Sequence, residues 1–169
     1  AAMFVMVVFG LNQGMQPIAG YNFGARQYDR VTSVLKLTVF LASGVMTLGF
    51  LVCELFPHSV VSVFTSDKEL IDIAAPGLRT VMLVFPIVGF QMVASTFFQS
   101  IGMAGKAIFM SLTRQVLFLL PGLLIFPMLL GVKGVWISMP AADTLASLVA
   151  VYMLTVQYRK SILKQKTMD

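Results

Sequence analysis

The chain has 169 residues, of which 58% are apolar with tyrosine counted and only 11% are Asp, Glu, Lys or Arg. Soluble domains lie near ~45–50% apolar and ~25% charged, so a soluble globular domain is all but excluded, and 14 Phe and 12 Met exclude disorder. One cysteine (Cys53) leaves no internal disulfide framework and one histidine (His58) no His-rich metal site, while a net charge of +5 would suggest nucleic acid only in a soluble protein.

A membrane-crossing helix needs about 20 mostly apolar residues. The sequence predicts five such spans, roughly 1–25, 37–57, 74–99, 107–130 and 134–156. The first is apolar from Ala1, with no initiating Met, basic n-region or cleavage site, so it reads as a chain cut inside a helix and not as a signal peptide. Gly10 and Gly14, then Gly20 and Gly24, form two GxxxG patterns with Pro17 between them. Small residues at that spacing let helix backbones approach closely in lipid. The same segment carries Asn12, Gln13, Gln16 and Asn22, which must face protein or water.

The second span runs from Leu37 to Pro57 without a charge before Glu54. Residues 58–66 are apolar but too short to cross, and are expected at the outer interface. Ser66-Asp67-Lys68-Glu69 fits a capping box in which Ser66 and Glu69 satisfy each other's backbone N–H groups, opening the helix into the third span. That span holds Pro86 and, two turns from Gln99 on a similar face, Gln91, which suits either a substrate contact or interhelical bonding. Pro121 and Pro127 interrupt the fourth span and Pro140 the fifth. Each proline removes a helix hydrogen bond and invites a kink. Several kinks in helices that also carry polar residues favour a transporter or channel over a passive anchor.

Asp143 falls near the middle of the last span. A carboxylate at that depth costs at least ~2.5–3.5 kcal/mol unless it is protonated, paired or hydrated. It is therefore either an ion-coupling group or a helix-packing acid bonded to nearby Ser, Thr or backbone groups. Glu54, Arg79 and Arg114 sit nearer the boundaries, where long side chains snorkel to the headgroups. Glu54 and Arg79 belong to consecutive spans on one side and are placed to pair. Most Met and Phe suit lipid contact, although thioethers such as Met92 also suit a pocket for apolar cations. Gln91, Gln16, Asn12 and Met92 are accordingly the cavity candidates.

The remaining charges are sorted. Arg26, Arg30, Lys36, Lys106, Arg114, Arg159, Lys160, Lys164 and Lys166 fall on one side, nine of the twelve basic residues. Lys68, Arg79 and Lys133 fall on the other, with Glu54, Asp67, Glu69 and Asp72. The positive-inside rule then places the 26–36 loop, the 100–106 loop and the C-terminus in the cytoplasm and Ala1 outside. The basic excess reads as topology and not as a nucleic-acid footprint. Gly102 to Lys106 lacks the spacing and context of a phosphate loop. No metal-ligand cluster or nucleophile constellation is legible, so an enzyme is not expected.

Four motifs carry a family resemblance. Gln16-Pro17-Ile18-Ala19-Gly20-Tyr21-Asn22-Phe23-Gly24-Ala25, followed by Arg26 and Arg30, resembles the eighth-helix region of bacterial multidrug and toxic compound extrusion (MATE) transporters. Phe64 to Glu69 with Ala75-Pro76-Gly77-Leu78-Arg79 resembles the start of that family's tenth helix. Phe97 to Gly102 with Arg114-Gln115 is similar to the junction of its tenth and eleventh helices, and Gly134 to Asp143, with Pro140, to its twelfth.

The resemblance implies an all-helical membrane protein of two six-helix lobes, with this chain as helices eight to twelve of the C-terminal lobe. Residues 1–158 would form the transmembrane bundle and residues 159–169 a basic cytoplasmic tail. It implies a multi-pass protein of the bacterial inner membrane that exports amphipathic, often cationic drugs or dyes by alternating access. Na⁺ or H⁺ would be the coupling ion, with Asp143 as the candidate and no other cofactor. Where some branches place an acid in the tenth helix, this chain has Gln91. The partners implied are the lipid bilayer and an N-terminal lobe of the same polypeptide, without which no transport is expected. A lipid-linked saccharide flippase of related fold and a non-transporting helical scaffold are the alternatives.

Overall fold

In a computed structural model, the structure describes residues 2–166, with side chains described from residue 2 to residue 160. Apolar sequence without water can satisfy its backbone only internally, and helices do so segment by segment. The described residues accordingly form α1 (Ala2–Gly24), α2 (Tyr28–Leu55), α3 (Pro57–Ser62), α4 (Lys68–Met82), α5 (Phe85–Ser100), α6 (Ala104–Leu112), a π-helical segment (Thr113–Leu119), α7 (Leu120–Leu130) and α8 (Val132–Lys166). Among these residues α1, α2, the continuous run 104–130 and α8 are each long and apolar enough to cross a membrane, and α4 with α5 makes a fifth, bent span.

The helices depart from the sequence prediction where specific residues force it. The loop expected over 26–36 is only three residues long, because α2 already starts at Tyr28 and buries Val31 in the core. Arg26 closes α1 in the left-handed conformation (φ 59°), letting the Gln27 N–H donate to the Asn22 carbonyl at 2.9 Å. The helix into the third span is capped by Asp67, not Ser66. The Asp67 carboxylate accepts from the N–H groups of Glu69 at 3.0 Å and Leu70 at 3.4 Å, so the expected capping box is shifted by one residue.

The third span is two helices meeting at 50° across Leu83 and Val84. Pro86 has no N–H to offer the Met82 carbonyl, and the helix breaks there. Pro121 acts differently. The run before it widens into the π segment, and the Leu120 N–H donates five residues back to Gln115. Pro140 leaves α8 unbroken. That same helix continues to Lys166, through most of the segment expected as a tail; the side chains of Lys164 and Lys166 lie outside the described residues.

α1, α2 and α5 pack around Val8, Met15, Met46, Val93 and Phe98, with α4 and α8 closing the sides. Several contacts need the absence of a side chain. A Cβ on Gly20 would stand 2.8 Å from the Ser100 carbonyl, and one on Gly77 2.6 Å from the Trp136 ring, which lies against the α4 backbone. Gly131 (φ 59°) is the whole connection between α7 and α8, and a Cβ on Gly134 would run into the Phe126 carbonyl and stand 2.7 Å from the Pro127 nitrogen. A hairpin this tight fixes the register of α7 on α8.

Candidate functional site

Two polar faces that the sequence places on α1 and α5 meet across one cavity. On α1 the residues Phe9, Asn12, Gln13 and Gln16 recur at helical spacing, and on α5 so do Gln91, Met92, Ser95 and Gln99. The π segment and the last turn of α6 add Ser111, Arg114 and Gln115, and α8 adds Met139 and Asp143. The space enclosed is about 990 Å³, the upper part of the ~300–1,000 Å³ range of small-molecule sites.

Asp143 is buried, and the Nε of Arg114 donates to its carboxylate at 2.5 Å. Arg114 is therefore not the snorkelling residue expected near the inner boundary. It turns into the cavity because a carboxylate that is otherwise costly at this depth lies within its reach. Counting from the turn at Gly131 reveals the pair. Asp143 lies 143 − 131 = 12 residues beyond it and Arg114 131 − 114 = 17 before it, depths that one long side chain bridges. The π-helical winding around Arg114, a form often found at functional sites, leaves no mark in the residue pattern.

All five cavity candidates, Asp143, Gln91, Gln16, Asn12 and Met92, line this space together. Asn12 and Gln91 are both buried, and neither amide atom of Asn12 nor the carbonyl oxygen of Gln91 has a hydrogen-bond partner. The family-motif residues are dispersed by comparison. Gly20 packs on Ser100, whereas a Cβ on Gly10, Gly14 or Gly24 would meet nothing within 4 Å. Tyr21 is exposed, and Asn22 turns its Nδ2 back to the Ile18 carbonyl at 2.8 Å. Pro17 and Pro140 lie inside α1 and α8.

Two further polar contacts tie elements together away from the cavity. Arg79 donates to the Glu54 carboxylate through Nε at 2.9 Å and again through Nη2, joining α4 to α2 as their positions in the sequence suggest. Lys106 donates to the Gln157 side-chain carbonyl at 2.8 Å and lies 5.2 Å from the centre of the Phe98 ring, joining α6 to α8.

The family model described as MatE matches residues 1–125. The chain belongs to the MatE family. The resemblance read from the four motifs is thus correct at family level. Multidrug export protein MepA of Staphylococcus aureus is 29% identical over 156 residues, covering 88% of this chain and 33% of its own length. The Staphylococcus haemolyticus protein of the same name is 22% identical over 149 residues. The solved MATE multidrug transporter DinF-BH, in complex with the dye rhodamine 6G, superposes with a TM-score of 0.84 at 37% identity, over 90% of this chain and 34% of that one. An inward-facing MATE family transporter superposes at 0.87 and 20% identity, over 95% of this chain and 38% of that one, a likeness of fold. The all-helical membrane fold of a MATE transporter is therefore the fold of this MatE chain, which spans about a third of the length of the curated relatives it matches.

Proposed function

We propose that this chain supplies helices eight to twelve of a bacterial inner-membrane multidrug efflux carrier, with its C-terminus in the cytoplasm. The carrier exports amphipathic, often cationic drugs and dyes by alternating access in exchange for Na⁺ or H⁺. The observation that carries this reading is the buried Arg114–Asp143 pair in the wall of a cavity of about 990 Å³. Ionisable residues at membrane depth mark substrate and ion pathways, and a proton or Na⁺ arriving at Asp143 competes with Arg114 for the same carboxylate. The names of the relatives, multidrug exporters and a transporter with a bound rhodamine, support the drug and dye class. None of them supports the saccharide flippase or the scaffold.

The test is Asp143→Asn in the full-length carrier that contains this chain, assayed in everted vesicles or liposomes. Ion-driven dye efflux is expected to be abolished while membrane insertion is retained. Unchanged efflux with unchanged dependence on the ion gradient would remove Asp143 from coupling. The isolated 169 residues are expected to transport nothing, having no second lobe opposite the cavity.

A further inference from the structure

Arg114 spends little of its hydrogen-bonding capacity on Asp143. A guanidinium has five N–H donors in a planar fork. Only Nε is engaged, and the two terminal nitrogens have no acceptor among the described residues. Its side chain is 37% exposed against 10% for that of Asp143, so the cation is the more accessible member of the pair. Arg114 and Asp143 are also the only charged side chains lining the cavity among the described residues. The rest of the lining is carboxamide, hydroxyl and apolar, so the wall sums to zero charge. A purely cationic molecule entering this space finds the one carboxylate already engaged. A molecule with an oxyanion finds a free bidentate edge, a charge-assisted geometry that neutral amides do not offer.

We propose that Arg114 is a substrate-binding residue that accepts the carboxylate, or a comparable oxyanion, of an amphipathic zwitterion. Asp143 holds the guanidinium in place through Nε and leaves the terminal edge turned to the cavity. Neighbouring Ser111 and Gln115 are positioned to donate to the same anion. This deepens the efflux reading above and rests on it for the route of the substrate. It narrows the class from cations in general to molecules that pair an acid with a cationic or apolar body.

The experiment uses one dye in two forms, rhodamine 6G, an ester and a cation, and its hydrolysed free acid, a zwitterion. Binding to the purified full-length carrier is measured in detergent by fluorescence polarisation, and efflux is measured in parallel. Arg114→Gln is expected to weaken the acid relative to the ester by at least about tenfold, the size of a lost charge-assisted hydrogen bond. Arg114→Lys, which keeps the charge, is expected to recover most of that ratio. Asp143→Asn, which releases the guanidinium, is expected to shift the ratio towards the acid. A merely structural pair would weaken both forms together, and an acid-to-ester ratio unchanged across Arg114→Gln and Asp143→Asn would overturn the proposal. If Arg114→Gln does not fold, Arg114→Lys and Asp143→Asn carry the decision, and an unmoved ratio in Asp143→Asn overturns it. A shifted ratio without efflux sinks the transport reading and leaves this one standing. Efflux with an unmoved ratio does the reverse, and binding of neither form sinks both.

Discussion

Gly134→Ala tests the tightest backbone contact in the molecule. The added Cβ would stand 2.7 Å from the Pro127 nitrogen and closer still to the Phe126 carbonyl, where ordinary contact begins at 3.4 Å, a shortfall of 3.4 − 2.7 = 0.7 Å at the nitrogen alone. No flexible side chain can give way, because both neighbours are backbone on the facing helix. Overpacking of this kind costs ~1–3 kcal/mol, and a clash with two backbone groups belongs at the upper end. Gly14→Ala is the paired control. Nothing lies within 4 Å of its Cβ, so alanine gains only the helix preference of about 0.5–1 kcal/mol. Thermal unfolding of the chain in detergent can be followed by the reaction of Cys53, its one thiol and 2% exposed, with a fluorogenic maleimide. The midpoint is expected to fall for Gly134→Ala and to rise for Gly14→Ala. A Gly134→Ala chain that melts at or above the parent temperature would refute the close α7–α8 approach.

Three further outcomes follow from the same geometry. Asp67→Ala is expected to cost ~0.5–2 kcal/mol of helix stability and to speed hydrogen exchange at the Glu69 and Leu70 amides. Ser66→Ala is expected to leave those amides protected, and the opposite order would restore the capping box. Pro86→Ala returns an N–H to the Met82 carbonyl, so spin labels at the far ends of α4 and α5 are expected to move apart, and an unchanged distance would assign the 50° bend to packing alone. Asn12→Leu removes two buried amide atoms without partners, each with a desolvation penalty of ~1–3 kcal/mol. The midpoint is expected to rise, and a fall would show the amide to be satisfied.

Much of this architecture is legible in the sequence because hydropathy acts over whole segments. The apolar runs forecast each spanning helix, and the spacing of Asn12 and Gln16, or of Gln91 and Gln99, already places each pair on one face. Glu54 and Arg79 are also readable, since consecutive helices bring their shared boundary together. The misses are matters of a single backbone group or a single long side chain. Ser66 and Asp67 are both good caps, and only the chain path selects the second. Pro86 and Pro121 look alike in sequence, yet one breaks a helix and the other is absorbed by a wider winding. Arg114 and Asp143 are 29 residues apart, and their meeting depends on how tightly the chain reverses at Gly131. The whole cavity charge pattern turns on that reversal.

Trp136 is the chain's one tryptophan, and its ring lies against α4 at Gly77. Its indole emission is therefore a built-in optical gauge of the separation between α4 and α8. Any motion that swings the outer half of the bent span away from the last helix would uncover the ring and change its quenching. The outer half-helix can thus be watched in native chain, without a label.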